Sequence, residues 1–340
     1  MNTFDPNQPG VANGGYFALP FQPEDASIVL LSAPWDVTTS YRAGTHLGPQ
    51  AIIDASVQVD LYDPLVPNAW DIPIATIPCP EELTLLNAEA RSKAEEVIAA
   101  WEEGREPDEA TLEAVNESCA RMNRMVYGQC REQLRNGKCV GLVGGEHSVP
   151  LGYLQALSEM HEAFGILHID AHADLRKAYE GFTYSHASIM YNTLITVGSV
   201  TTLAQVGIRD FCQDEADLVR DEPRIAFFPD HELQQALFEG ATWQDQCARI
   251  LDSLPEKVYI SLDIDGLSPE HCPHTGTPVP GGLTFRQVDY LLHSLAKSSK
   301  NIIGFDLCEV APGPDDEWDA NVGARILYKL CTYAHLNHKN

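Results

Sequence analysis

Short apolar runs recur along the chain, each apolar at consecutive positions rather than alternate ones, with helix-period stretches between them. They are Ser27 to Leu31, Cys139 to Val143, Gly165 to Ile169, Leu203 to Ile208, Arg224 to Phe228, Lys257 to Leu262 and Asn301 to Phe305. Strands that are apolar on both faces must be covered on both, which predicts a mainly parallel sheet flanked by helices, a three-layer αβα architecture. Sheets of this kind bind ligands at the carboxyl ends of their strands. A helical insert is predicted around 84–136, where Leu112, Val115, Cys119, Met122 and Val126 follow one another at steps of 3 and 4 and make one packing stripe. Asp108 after Pro107 reads as a helix N-cap and Gly137 as a helix stop. With no internal repeat or linker, residues 27–340 read as a single α/β domain, and 1–26 as an arm that is either loose or packed.

Charge changes this picture more than composition does. The 340 residues are 44% hydrophobic and 21% charged, enough for a substantial core, but the net charge is −27. Phosphates and anionic membranes would repel such a chain, which argues against nucleic-acid and membrane partners. An acidic envelope favours small cationic ligands, or serves solubility alone. The amino terminus has neither the basic nor the apolar region of a secretory signal. Nine scattered cysteines with no CxxC pair read as reduced, mostly buried thiols, so a cytoplasmic protein is expected.

Three segments bear chemistry, each just past a predicted strand. Gly144-Gly145-Glu146-His147-Ser148 follows Val143, Asp170-Ala171-His172-Ala173-Asp174 follows Ile169, and Asp263-Ile264-Asp265-Gly266 follows Leu262. On an extended backbone alternate side chains share a face, so Asp170, His172 and Asp174 can converge, as can Asp263 with Asp265. With His147 this gives four carboxylates and two imidazoles at one rim. Carboxylates packed so closely raise one another's pKa unless cations compensate them. Mixed oxygen and nitrogen ligands without thiolates suit Mn²⁺, Ni²⁺, Fe²⁺, Co²⁺ or a catalytic Zn²⁺. Each piece alone has a bland reading, a capping histidine or an Asp-rich turn; three pieces in register at strand ends do not.

With these segments go Ser40-Tyr41-Arg42-Ala43-Gly44, Thr275-Gly276-Thr277-Pro278, Pro280-Gly281-Gly282 and Phe305-Asp306-Leu307-Cys308-Glu309-Val310. On these motifs the chain resembles the ureohydrolases, the arginase, agmatinase and formiminoglutamase group, from about Ser27 to Leu330. The resemblance implies an arginase-like fold and two divalent metal ions, Mn²⁺ or Ni²⁺. One ion would be held by His147, Asp170, Asp174 and Asp263, the other by Asp170, His172, Asp263 and Asp265. Glu146 departs from the family, where Asp is commoner before this histidine. The implied reaction is hydrolysis of a guanidinium C–N bond to release urea. The carbon is a poor electrophile, so a water activated between two ions is needed. His186 would shuttle the proton to the departing amine, and Glu309 would grip the guanidinium, with Thr277 as its hydrogen-bonding partner. Trimers or hexamers are implied as the assembly.

Substrate choice is less determined. The loop after the second motif, Leu175 to Thr183, lacks the polar pattern by which arginases hold an amino acid, so arginine is disfavoured. Similarity to an agmatinase-like subgroup, some of whose members act on free guanidine with nickel, leaves alkylguanidines and guanidine as near equals. Tyr179, Phe182 and Trp318 could wall a small pocket or stack on a cation. Arg176 or Lys177 could pair with a carboxylate, which would suit guanidino acids or formiminoglutamate. Two other classes compete: a single-metal amidohydrolase resembling the histone deacetylases, and a non-catalytic partner subunit. The remaining histidines (His46, His161, His168, His231, His271, His274, His293, His335 and His338) read as structural or exposed, and Arg209 and Asp210 as scaffold or subunit packing.

Overall fold

All seven apolar runs are strands, and an eighth joins them. The computed structural model describes residues 4–338; residues 1–3 of the expected arm, residues 339–340 and the side chain of His338 lie outside that description. The strands are β1 (Ile28–Ala33), β2 (Ile74–Ile77), β3 (Cys139–Gly144), β4 (Phe164–Ile169), β5 (Val200–Val206), β6 (Ile225–Phe228), β7 (Lys257–Asp263) and β8 (Asn301–Cys308). They form one parallel sheet in the order β2-β1-β3-β8-β7-β4-β5-β6. β2 escaped the sequence reading because it is an edge strand of four residues between Pro73 and Pro78, too short to show a period. β5 starts at Val200, three residues before the expected Leu203, and ends at Val206.

The helices are α1 (Gly48–Ser56), α2 (Glu81–Glu102), α3 (Glu109–Arg135), α4 (Pro150–Met160), α5 (Ile189–Thr196), α6 (Gln213–Asp221), α7 (Asp230–Phe238), α8 (Trp243–Ser253), α9 (Phe285–Lys297) and α10 (Trp318–His338). The expected insert is thus two helices. Gly104 in left-handed conformation and Pro107 separate them, and Asp108 caps the second by accepting from the Thr111 N–H. Strand alternation divides the core in two. Leu30, Val206 and Ile260 face Ile52, Ile250, Leu291 and Ile326 of α1, α8, α9 and α10. Val29, Leu31, Leu142 and Tyr259 face Leu86, Val115, Leu154 and Ile189 of α2, α3, α4 and α5. This is the expected three-layer αβα arrangement. Within the amino-terminal arm, Tyr16 and Phe17 are buried, and the Tyr16 hydroxyl lies 2.8 Å from that of Ser32.

The four central strands, β3-β8-β7-β4, are neighbours, and their carboxyl ends carry Glu146-His147, Glu309, Asp263 and Asp170 respectively. Sheet order alone therefore gathers segments that lie up to 163 positions apart in the chain. No helix among the described residues is long and apolar enough to cross a membrane.

Candidate metal centre

Gly145 makes the turn out of β3. A Cβ there would lie 2.1 Å from the Trp35 carbonyl oxygen, so only glycine fits. The turn is stitched to its neighbours by Gly145 N–H to Ala33 O, Glu146 N–H to Trp35 O and Glu309 N–H to Gly145 O. It delivers His147 into the interior, 1% exposed. The imidazole Nε2 lies 2.9 Å from the Ser261 hydroxyl. That leaves Nδ1 to face three carboxylates: Asp170 at 2.9 Å, Asp174 at 3.4 Å and Asp263 at 3.3 Å. Asp170 then joins a second group. Its Oδ1 lies 3.5 Å from His172 Nδ1, which is 3.1 Å from Asp265 Oδ2. Ligand atoms of His147, Asp170 and Asp174 lie within 4.8 Å of one another, as do those of Asp170, His172 and Asp265. Asp170 stands between the two sets, and Asp263 lies beside them, 3.3 Å from His147 Nδ1 and accepting the Asp265 main-chain N–H at 2.8 Å.

The six side chains named from sequence are thus together, but extended alternation is not what brings all of them there. Asp174 has a left-handed backbone (φ 54), and its carbonyl accepts from the N–H groups of Met190 and Tyr191 at the start of α5. Asp265 sits in a single 3₁₀ turn over Ile264–Gly266. Arg209 fastens that turn by donating to the carbonyls of Asp265, Leu267, Val279 and Gly207, which makes it scaffold, as expected. Arg209→Met should strand these acceptors and lower stability by about 2–3 kcal/mol in thermal unfolding. A loss under about 0.5 kcal/mol, the scale of an ordinary surface change, would remove the clamp from the account.

The electrostatics show a site short of positive charge. Burial, then repulsion from Asp265 and Asp170, pushes the Asp263 carboxyl well above its usual range. Burial and the Asp170 charge do the same to Asp174. Burial opposes ionisation of Asp170 too, but His168, His147 and His172 hold its carboxyl well below the ordinary value. Burial also pushes Glu309 up to about 8, with Glu146 adding repulsion. Buried carboxylates in conflict, with imidazole nitrogens turned toward them, are what divalent cations would relieve. The donor set fits two.

Glu309 occupies a left-handed position (φ 63) just past β8 and is 7% exposed. Its Oε1 accepts from the His147 N–H at 2.8 Å, while Oε2 faces Gly276, whose added Cβ would stand 3.6 Å away. The threonine that braces it is Thr275, which donates to the Glu309 main-chain carbonyl at 2.7 Å. Thr277 lies on the wall of the cleft over the cluster, with no hydrogen bond to Glu309 among the described residues. That cleft holds about 160 Å³ and is also lined by His172, Asp174, Arg176, Tyr179 and His186. Of the aromatics expected at a pocket, Tyr179 is there. Phe182 is fully buried in the core, and Trp318, 47% exposed, donates its indole N–H to the Glu270 carbonyl. A roomier cavity of about 420 Å³ opens at the amino ends of β1, β3 and β8, beside Ser27, Cys139 and Asn301, away from this chemistry.

His186 follows Ser185 in a short 3₁₀ turn. Burial, then the nearby His172 and His147, lowers its pKa to about 4, so the ring is neutral at pH 7. The Thr38 hydroxyl lies 3.2 Å from its Nδ1 and accepts from its backbone N–H at 3.1 Å. That hydroxyl donates its own proton to Glu146 Oε1 at 2.9 Å. With its proton spent on Glu146, Thr38 can accept from His186 Nδ1, and the Ser185 hydroxyl lies 3.4 Å from the same nitrogen. Glu146 also accepts from the Thr38 N–H, the Thr39 hydroxyl and the Ser148 hydroxyl. The Glu146 carboxyl is therefore the anchor of this chain of contacts. Sequence reasoning missed Thr38 and placed His168 among ordinary structural histidines. His168 is buried with Nε2 2.9 Å from Asp170 Oδ2 and Nδ1 3.0 Å from Gln205 Nε2, a direct brace on the shared carboxylate. Its place two residues before Asp170, on the same strand face, was the available signal. Like His46, which sits on Asp36, and His274, which sits on Asp319, it has a structural partner.

Residues 26–332 match the model of the arginase family. An N(1)-aminopropylagmatine ureohydrolase of Thermus thermophilus is 35% identical over 85% of this chain and 84% of its own length. A protein of the same description from Synechocystis is 31% identical over 91% and 89% of the two chains. An agmatine ureohydrolase structure from Thermoplasma volcanium superposes with a TM-score of 0.73 at 23% identity, covering 94% of each chain, which bears on the fold alone.

Proposed function

The chain belongs to the arginase family, and from that premise we propose that it is a dinuclear-metal hydrolase that cleaves a C–N bond of a guanidino compound and releases urea. The observation that carries this reading is the pair of ligand sets joined through Asp170 at the ends of adjacent central strands. His147, Asp170, Asp174 and Asp263 would hold one ion, and Asp170, His172, Asp263 and Asp265 the other, Mn²⁺ or Ni²⁺. Two such ions, when bound, supply a nucleophilic water at neutral pH and stabilise the charge that develops as the carbon is attacked.

The chain's own residues do the rest. Glu309 keeps one oxygen on the His147 N–H and turns the other toward Gly276, where no side chain competes for it and guanidinium N–H groups could donate to it. His186, neutral with its pKa lowered to about 4, takes a proton on its free ring nitrogen and returns it to the nitrogen that leaves. Thr38 holds the ring in place through Nδ1 and the main-chain N–H. Thr38→Val should therefore lower kcat about tenfold, the worth of one buried hydrogen bond at about 1.4 kcal/mol, with metal content unchanged. Wild-type kcat in that variant would remove Thr38 from the mechanism.

The reading extends to a cytoplasmic enzyme assembled as a homotrimer or homohexamer, which sedimentation of the purified protein tests. Agmatine-like alkylguanidines and free guanidine are the favoured substrates, and guanidino acids or formiminoglutamate are second. The deciding experiment is a urea-release screen of guanidine, agmatine, 4-guanidinobutyrate and arginine, with Mn²⁺ and Ni²⁺ separately. Urea from guanidine or agmatine is expected; none from any of the four would overturn the assignment.

A further inference from the structure

The wall of the cleft opposite the metal ligands carries a cation, which is unexpected in a site for cationic substrates. Arg176 lines the cleft beside Tyr179 and His186. Its guanidinium carbon lies 5.0 Å from the centre of the Tyr179 ring, and that ring meets His186 edge-on at 6.0 Å. The Arg176 charge thus stands one ring away from the proton shuttle. No hydrogen bond among the described residues occupies its guanidinium. The nearest carboxylate oxygen is Glu215 Oε2 at 3.8 Å from Nε, and both Glu215 oxygens already accept main-chain N–H groups, from Leu175 at 3.0 Å and Cys212 at 2.8 Å. Asp210, also on the wall, is exposed, where water and salt screen it.

Arg176 and Glu215 also line a second, larger cavity of about 510 Å³ that continues past Tyr191 to Asp214 and Asp217. The arginine is therefore a partition. On one side is a cleft of about 160 Å³ over the ligand cluster, and on the other a space three times larger whose walls carry Asp214, Glu215, Asp217 and Asp221 against one lysine, Lys177.

We propose that Arg176 is a specificity-determining residue that confines the site to guanidino compounds bearing no second positive charge. This rests on the proposed guanidino hydrolysis and narrows it: of the two favoured substrates it keeps free guanidine and sets agmatine-like compounds with a cationic tail aside. The cleft over the ligand cluster is walled by His186, Tyr179 and Arg176, so a substituent of a guanidinium held at Glu309 that leaves through it meets Arg176. An ammonium end group, as in agmatine, then faces a like charge across a partly solvated wall and is repelled. A bare head never reaches the arginine, and a carboxylate end group meets unoccupied N–H donors in fork geometry. With the arginine shortened, the acidic cavity behind it becomes room for a cationic chain.

The test is urea release from guanidine, 4-guanidinobutyrate and agmatine by the metal-loaded full chain, comparing wild type with Arg176→Gln and Arg176→Lys. The two tailed compounds differ at their end group, so their ratio of kcat/KM reads the charge at the tail. In wild type the butyrate or guanidine should exceed agmatine. Arg176→Gln should raise agmatine relative to both by about tenfold or more, chiefly through KM, and Arg176→Lys, which keeps the charge, should retain the wild-type order. A wild-type preference for agmatine, a ratio unmoved by Arg176→Gln, or a ratio moved equally by Arg176→Lys would each overturn the proposal. Urea from wild type with such a ratio leaves the hydrolase reading standing; absence of urea from every compound removes both.

Discussion

Asp263→Ala is expected to leave at most one ion per chain and to abolish measurable urea release, a loss of about a thousandfold or more. Asp263 is the carboxylate proposed, with Asp170, to serve both ions. One oxygen lies 3.3 Å from His147 Nδ1, and the other accepts the Asp265 N–H. Its removal takes a ligand from each proposed ion at once. The same change should affect the metal-free protein in the opposite direction. Burial and the charges of Asp265 and Asp170 already push this carboxyl far up, so deleting it relieves crowding, and the apo variant should melt no lower than wild-type apo protein. Wild type should gain stability on metal addition as RT ln(1 + [L]/Kd), about 4 kcal/mol at a thousandfold excess over Kd, and the variant should lose most of that gain. Metal analysis together with melting curves, with and without added Mn²⁺ or Ni²⁺, reads both. Full stoichiometry with an intact metal-induced shift would refute the bridging role. A wild-type content of one ion per chain would point to the single-metal amidohydrolase class instead.

How much of this was legible in the sequence depended on whether the cause was local. The ligand triplets were legible because each lies directly after an apolar run, and a parallel sheet sends all such ends to one rim. Which strands adjoin is a property of the whole sheet. Yet the ligands converge because β3, β8, β7 and β4 are consecutive in it. The Thr38–Glu146–His186 chain could not be read, because its links span 108 and 148 positions and Thr38 lies in a turn-rich stretch that shows no period. The aromatics divided for a similar reason. Tyr179, Phe182 and Trp318 look alike as loop residues, but only packing decides that Phe182 goes to the core and Trp318 to the surface. Alternation was the right rule for His168 and Asp170 and failed at Asp174, whose left-handed backbone is rare for a residue other than glycine and is held by two N–H groups of α5. Departures from regular backbone at Asp174 and Glu309 coincide with the site, where such strain is commonly kept for function.

Glu309→Gln should retain both ions and lose about a hundredfold to ten-thousandfold in kcat/KM. The amide is nearly isosteric, its oxygen can still accept the His147 N–H at the Oε1 position, and the left-handed backbone is unaltered, so neither the ligand turn nor the fold is disturbed. What disappears is the negative charge opposite the guanidinium. Charge-assisted hydrogen bonds are roughly twice as strong as neutral ones, and two to four decades of rate correspond to about 3–5 kcal/mol, within reach of a desolvated pair. A second consequence separates charge from shape. The Glu309 carboxyl rises from its ordinary 4.5 to about 8 on folding, because burial and Glu146 disfavour the charged form. The folded chain therefore binds more protons than the unfolded chain between those values, and this group's contribution to stability is lost as pH rises through that window. In metal-free protein, Glu309→Gln should flatten that decline, so melting temperatures of variant and wild type diverge from pH 5 to pH 8 in the variant's favour. Near-normal turnover with metals bound would exclude Glu309 from substrate binding, whereas lost turnover with lost metal would mean that it serves the His147 turn instead.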